Sequence, residues 1–147
     1  MDDSQNNAFT VKENVLTPQL FIRLFRSVGW EPPTFEQVET ALANTLVTFT
    51  VFTLSDMPVA MARLIGDRGM SYYIKDLAVL PEFQGQGAGR LLMKAIESYI
   101  HRDQRPGWAV SLELISSKGR EGFYEKFGFE PRPCDWDGAG MFKMIRS

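Results

Sequence analysis

The sequence is poor in metal-binding and redox-active side chains, with one cysteine and one histidine among 147 residues. The single cysteine, Cys134, excludes an intramolecular disulfide framework and offers no metal cluster. We therefore predict no metal site, and this cysteine usage fits a reducing compartment such as the cytosol.

The chain also lacks charged runs and long apolar runs. Its net charge is −2 at pH 7 and its Lys and Arg residues are scattered, which excludes a nucleic acid held by electrostatic attraction. No apolar run approaches the ~18 residues of a membrane span, so no membrane partner is expected. The start, MDDSQNNAFT, has neither the basic nor the apolar region of a signal peptide. We expect a cytoplasmic protein in which residues 1–7 are mobile.

The apolar content is sufficient for one hydrophobic core, since 44% of the residues are hydrophobic. A chain of this length is predicted to form a single domain, residues 1–147.

The most informative stretch is YYIKDLAVLPEFQGQGAGRLLMKAIESYI, from Tyr72 to Ile100. Its apolar beginning stops at Pro81, which cannot donate to a sheet ladder. A short segment with three glycines follows, Glu82–Gly89, and apolar residues then recur at helical spacing. We predict a strand, a glycine-rich turn and a helix.

Such a turn suits phosphate oxygens, because backbone N–H groups at a helix N-terminus lack intrahelical partners and carry partial positive charge. The spacing excludes two other phosphate loops. A P-loop needs Lys and then Ser or Thr after its last glycine, but Arg90 and Leu91 follow Gly89. A dinucleotide fingerprint that begins at Gly85 needs a glycine where Arg90 stands.

The remaining pattern, Gln84-x-x-Gly87-x-Gly89, resembles the acetyl-CoA-binding signature Q/R-x-x-G-x-G/A of the GNAT superfamily of N-acyltransferases, in its small single-domain bacterial form. The resemblance implies acetyl-CoA as cosubstrate, with the pyrophosphate on the loop and the pantetheine arm added along the preceding strand. A backbone N–H near Val79 would polarise the thioester carbonyl. The residues implied in cofactor binding are Leu77, Ala78, Val79, Gln84, Gly85, Gln86, Gly87, Ala88, Gly89, Arg90 and Ser117.

Ser117 is included as a stand-in. Many members of the family carry a cofactor-contacting asparagine between the last strand and the next helix, where this chain reads ISSKGREG. Ser116 and Lys118 are alternatives at this place.

The rest of the chain follows the family's element order, β-α-α-β-β-β-α-β-α-β-β. We expect strands at 9–11, 47–51, 59–65, 70–80 and 108–115, helices at 18–28, 34–44, 88–101 and 117–127, and a final strand pair at 129–145. Strands 70–80 and 108–115 should be parallel, because a helix connects them in a right-handed crossover. The resemblance implies an α/β (α+β) GNAT fold: a mixed, mostly antiparallel sheet with a parallel pair splayed at the acetyl-CoA site, flanked by about four helices.

The segment GFYEKFGF, Gly122–Phe129, also resembles the family, in which a helix that carries a tyrosine precedes a Gly-Phe pair. Tyr124 matches the family's general acid. Attack of an amine on a thioester expels a thiolate whose conjugate acid has a pKa of about 8.5, and a phenol with a pKa of about 10 can protonate it. The alternative is that Tyr124 only packs beside Phe123 and Phe127.

Two carboxylates are candidate general bases for the acceptor amine, which must lose a proton before it attacks. Glu113 matches a glutamate that some members use through a water, although strand alternation also allows a solvated outward residue. Asp76 lies in an otherwise apolar strand, where a carboxylate must be paired or border a cleft. Alternation places Asp76 on the face of Tyr72 and Ile74 unless a bulge resets the register.

The function implied is transfer of acetyl from acetyl-CoA to a primary amine of a small molecule, by direct attack in a ternary complex. The family resemblance also implies a homodimer. A non-catalytic acyl-CoA-binding regulatory module is the main alternative, and the loop spacing disfavours a dinucleotide-binding domain. The segment PRPCDWDGAG, residues 131–140, is either a surface hairpin or an acceptor-gating loop that favours a cationic or aryl-bearing amine.

Overall fold

The structure is a computed structural model that describes residues 8–147. Residues 1–7, which we expect to be mobile, lie outside the described residues. Most of the segment MDDSQNNAFT, in which we predict no signal peptide, lies outside them too. The chain divides into two compact units, Met1–Glu113 and Leu114–Ser147, and each unit is described by itself. The single domain of residues 1–147 stays a prediction.

The first unit contains the sheet. Its elements are β1 (Phe9–Glu13), α1 (Pro18–Ser27), α2 (Phe35–Ala43), β2 (Val47–Thr53), β3 (Pro58–Gly66), β4 (Ser71–Val79), α3 (Ala88–Asp103) and β5 (Ser111–Glu113). The strands lie in the order β1-β2-β3-β4-β5. Neighbouring strands are antiparallel except for β4 and β5, which are parallel. The predicted mixed, mostly antiparallel sheet with one parallel pair is confirmed.

Local side chains set the starts of the first two helices. Thr17 and Thr34 are their N-caps, and each hydroxyl accepts a hydrogen bond of 3.2 Å from a backbone N–H three residues later. Pro18 occupies the first helical position of α1, where its missing N–H costs nothing. Gly29 follows α1 with a φ of 85°, so glycine suits this helix end. These boundaries agree with the prediction.

The two faces of the sheet are covered by different helices. On one face, α3 buries Leu92, Met93 and Ile96 completely, and each such side chain contributes about 1.5–3 kcal/mol of transfer free energy. The ring of Phe49 in β2 meets that of Tyr99 in α3 edge-on at 6.1 Å. Helix α1 contacts β3 and β4. In β3, Arg63 lies over the ring of Phe21 in α1. Arg63 follows Ala62, the register partner of Phe49, so its side chain is on the opposite face from Phe49 and α1 covers that face.

Strand β4 contains a bulge. Between the register pairs Met61–Ala78 and Arg63–Lys75, β3 has one residue, Ala62, whereas β4 has two, Asp76 and Leu77. Asp76 has a φ of 56°, in the left-handed region. The strict alternation that would place Asp76 on the face of Tyr72 and Ile74 therefore fails, and its side chain lies on the opposite face.

Two elements near the carboxyl end are shorter than predicted. Strand β5 spans Ser111–Glu113 instead of 108–115, and α4 spans Glu121–Glu125 instead of 117–127. Gly119 has a φ of 88°, so the chain cannot enter the helix before that residue. Gly128, also with a φ of 88°, was predicted to end this helix directly, but α4 ends three residues earlier, with Lys126 as its C-cap.

The predicted strand pair at 129–145 is wrong, since no strand follows α4 in the described chain. Pro131 and Pro133 have no N–H to donate to a ladder. The N–H of Cys134 instead donates to the carbonyl of Asp137 at 2.9 Å, which closes a turn. An apolar pattern alone forms no strand without a neighbouring strand to receive its backbone hydrogen bonds.

Within residues 8–147, every helix is too short or too polar to cross a bilayer.

Candidate functional site

The glycine-rich loop ends in an uncapped helix N-terminus. Gly87 is the N-cap of α3 with a φ of 95°, and no side chain caps this end. The first intrahelical bond of α3 runs from the N–H of Leu91 to the carbonyl of Gly87, at 3.0 Å. The N–H groups of Ala88 and Gly89 therefore precede the intrahelical ladder, at the positive end of the helix dipole.

The space over the loop is open. A Cβ added to Gly85 or Gly87 would meet no other atom within 4 Å. Positive φ values of 76° and 95° favour glycine at these two positions, and the open space admits a ligand close to the backbone. Ala88 is 1% exposed, so its methyl group is packed in the core at the start of α3. Donors of this kind at a helix N-terminus fit a diphosphate.

Gln84 connects the loop to the end of β4. Its Nε2 donates to the carbonyl of Val79 at 3.1 Å. The N–H of Leu80 donates to the carbonyl of Val59 in β3 at 2.8 Å. Because backbone groups alternate along a strand, the N–H and C=O of Val79 point away from β3.

That edge of β4 is open where it approaches the loop. Strand β5 pairs with β4 only along Ser71–Tyr73. Within residues 8–113, no strand pairs with the rest of β4 on the side opposite β3. The pairing of β4 with β5 thus ends at Tyr73, and the N–H of Val79 lies on the unpaired edge of β4.

Asp76 is paired with a residue that the sequence analysis did not single out. Its Oδ2 accepts from Nε of Arg63 at 2.6 Å, and the two side chains are 14% and 12% exposed. Nη1 of Arg63 also donates to the Thr45 hydroxyl at 3.0 Å. The guanidinium carbon lies 6.0 Å from the centroid of the Phe21 ring. Arg63 is the single charged residue of β3, PVAMARLIG, a signal that could have predicted a buried partner for Asp76.

Glu113 lies beside Tyr73 in the parallel pair, where the two are register partners. Glu113 is exposed. Burial raises the pKa of Tyr73, and the Glu113 carboxylate raises it further. Tyr73 lies two residues before Lys75, the register partner of Arg63. Glu113 and Asp76, the two candidate bases, are therefore on one face of the sheet, the face covered by α1.

Tyr124 lies in α4, in the second unit. Its ring packs edge-on against Phe123, at 5.1 Å between centroids, and against Phe129, at 6.0 Å. Burial raises the pKa of the Tyr124 phenol, and the positive charge of Arg120 partly offsets this. The phenol is therefore protonated at neutral pH. The ring thus packs against Phe123, as the packing alternative predicts, and against Phe129, while the phenol keeps the proton that a general acid needs.

Ser117 and the segment 131–140 are the other predicted site features in the second unit. Ser117 is exposed, and its carbonyl accepts from the N–H of Arg120 at 3.0 Å. In the segment 131–140, Nη2 of Arg132 pairs with Asp137 at 3.0 Å, and Trp136 is 71% exposed. Whether this segment gates an acceptor stays a prediction. Across residues 8–147, no three His, Cys, Asp or Glu side chains are grouped to hold a metal ion.

Residues 26–144 match the family model of the acetyltransferase (GNAT) domain. A solved structure of a probable acetyltransferase from meticillin-resistant Staphylococcus aureus is 34% identical, covers 93% of this chain and 99% of its own, and has a TM-score of 0.81. A solved GNAT-family acetyltransferase from Streptococcus pneumoniae TIGR4 is 30% identical, covers 95% of this chain and 99% of its own, and has a TM-score of 0.77.

A curated relative, an uncharacterized N-acetyltransferase of Gracilaria tenuistipitata var. liui, is 30% identical over 124 residues, which are 82% of this chain and 64% of the relative. The chain thus spans just under two thirds of that relative's length. Because the domain model matches most of the chain, and two solved structures at 34% and 30% identity have the same fold, the chain belongs to the GNAT family of acetyltransferases.

Proposed function

We propose that the protein is an acetyl-CoA-dependent N-acetyltransferase that acetylates a primary amine of a small molecule by direct attack in a ternary complex. The proposal rests on one observation: backbone N–H donors follow one another from the unpaired edge of β4 into the glycine-rich loop. The N–H of Val79 lies on the unpaired edge of β4, and the uncapped N-terminus of α3 follows eight residues later. A linear ligand with amide groups at one end and a diphosphate at the other matches that order.

The residues that would hold acetyl-CoA are those of β4 and the loop. The backbone of Leu77, Ala78 and Val79 lies along the open edge, where the pantetheine arm would add as a strand. The backbone from Gln84 to Arg90 would bind the pyrophosphate, and the guanidinium of Arg90 adds positive charge. When bound, acetyl-CoA supplies an acyl group activated as a thioester.

Two proton movements are assigned to side chains of this chain. Glu113 accepts a proton from the acceptor ammonium, through a water, so that the nitrogen lone pair is free to attack. Tyr124 donates its phenol proton to the departing thiolate sulfur. The N–C bond would form as the C–S bond breaks, and the N–H of Val79 would stabilise the negative charge on the acyl oxygen. The attacking nitrogen would lose its second proton to solvent, and the Tyr124 phenolate and the Glu113 carboxylic acid would regain their starting forms by exchange with solvent. Glu113 is preferred to Asp76 as the base because Asp76 already accepts from Arg63.

Glu113→Gln is expected to lower kcat about 10²-fold, since a positioned general base contributes at least that factor. The loss should be greatest at acidic pH, where the wild type depends on the base, and smaller at high pH, where free amine is abundant. The measurement is the pH–rate profile of Glu113→Gln beside that of Asp76→Asn. A profile changed only in Asp76→Asn would move the assignment of the base to Asp76.

The proposed function is tested by CoA thiol release from acetyl-CoA at pH 8, across arylalkylamines, polyamines, amino acids, aminoglycosides and short peptides. Release above the rate without enzyme, with one class of amine, is the expected result. The alternative function, a non-catalytic acyl-CoA-binding module, predicts that acetyl-CoA raises the melting temperature while no amine is acetylated. The absence of both turnover and a thermal shift would overturn the assignment of the loop.

A further inference from the structure

We propose that Arg63 is a positioning residue for acyl transfer: it holds the bulge of β4, through Asp76, in the register that turns the N–H of Val79 toward the thioester. This inference rests on the proposed function, and it assigns a task to an ion pair that the mechanism does not otherwise use.

The bulge decides which backbone groups reach the open edge. One extra residue in β4 shifts the alternation, so every later N–H and side chain points to the side opposite from that in an unbulged strand. Val79 lies three residues after Asp76, and its N–H points away from β3 only because of this shift. If the bulge were lost, that N–H would turn into the β3 ladder.

The bulge depends on a backbone conformation that its surroundings must maintain. Asp76 has a φ of 56°, which residues other than glycine rarely adopt. Such conformations persist where neighbouring groups fix them. The 2.6 Å bond from Nε of Arg63 to the Asp76 carboxylate fixes the side chain of this residue.

Arg63 is itself held from three directions. Its Nη1 donates to the Thr45 hydroxyl, which donates in turn to the carbonyl of Ala41 at the end of α2. Its guanidinium also lies over the ring of Phe21 in α1. A planar guanidinium can meet these partners together, whereas a lysine ammonium has no such fork. The Arg63–Asp76 ion pair thus connects α1 and α2 to β4, the strand along which the thioester would bind.

The test compares Arg63→Met and Arg63→Lys with Arg68→Met. Arg68 lies after β3 and bonds to Asp103 and to the Tyr99 hydroxyl, so its replacement also removes an arginine ion pair next to β3 but leaves the bulge intact. The measurements are kcat and KM for acetyl-CoA, the Kd of CoA by calorimetry, and the melting temperature.

Arg63→Met is expected to lower kcat about 10²-fold, the loss that a misplacement of about 1 Å can cause. The Kd of CoA should rise by a smaller factor, about 10-fold at most, because the loop still binds its diphosphate while the pantetheine arm loses contacts with β4. Arg63→Lys should restore kcat only in part, and Arg68→Met should keep wild-type kcat. If Arg63→Met does not fold, the same division between kcat and Kd is expected in Arg63→Lys, with a smaller loss.

A folded Arg63→Met with wild-type kcat would overturn the inference. Equal losses of kcat and CoA affinity in the Arg63 and Arg68 variants would also overturn it, because they would indicate general destabilisation. Wild-type protein that neither binds CoA nor releases it from acetyl-CoA would instead remove the proposed function, and this inference with it.

Discussion

Tyr124→Phe is expected to lower kcat about 10²–10³-fold and to leave the Kd of acetyl-CoA nearly unchanged. Phenylalanine retains the edge-on contacts with Phe123 and Phe129, so the variant loses the acid proton and little packing. A positioned general acid contributes about 10²–10⁴-fold. Steady-state kinetics with the acceptor found in the amine panel, together with calorimetry of acetyl-CoA, measure both quantities.

Tyr99→Phe is the matched control, since it removes a phenol that accepts from Arg68 and that has no assigned catalytic task. The pH dependence adds a second readout. Burial raises the pKa of Tyr124, so its acid form persists to higher pH than an ordinary tyrosine, whose pKa is about 10. Wild-type kcat should therefore not fall between pH 7 and about 10 through loss of this proton. A Tyr124→Phe enzyme with wild-type kcat would exclude Tyr124 from the mechanism.

Gly87→Asp is expected to raise the Kd of acetyl-CoA about 100-fold while the fold is retained. The new carboxylate would lie at the N-terminus of α3, where the pyrophosphate is proposed to bind. Two unit charges about 4 Å apart interact by about 4 kcal/mol at an effective dielectric constant of 20. Partial solvation reduces this repulsion, and a 100-fold change in Kd corresponds to about 2.7 kcal/mol.

The effect on folding should be small, because two contributions oppose each other. Asp tolerates the left-handed region better than most residues, though at a cost. Its negative charge complements the helix dipole, which contributes about 0.3–1 kcal/mol and offsets part of that cost. Gly107→Asp is the control: its φ of 83° is similar, and a Cβ there also meets no atom within 4 Å. Equal Kd values for the two variants would exclude Gly87 from the phosphate site.

Local sequence signals predicted the elements that depend on near neighbours. Thr17 with Pro18, and Thr34 with Gln37, define helix starts by contacts three residues apart. The glycine-rich loop was predicted from its three glycines. In the structure Gly85 and Gly87 adopt positive φ values that other residues avoid. Elements that need distant partners were predicted less well. Residues 129–145, all of them described, form no strand pair, and β5 is short, because a ladder requires a neighbouring strand in register.

The candidate site also has parts that local sequence predicted and parts that depend on distant residues. The sequence by itself determined the strand, the loop and the helix N-terminus between Ser71 and Asp103, because proline, glycine and apolar spacing act over a few residues. Only the tertiary structure decided what Asp76 does, since its partner, Arg63, is 13 residues away on another strand. It also placed Glu113 beside Tyr73. Register and bulges follow from long-range backbone pairing, which no short stretch of sequence encodes.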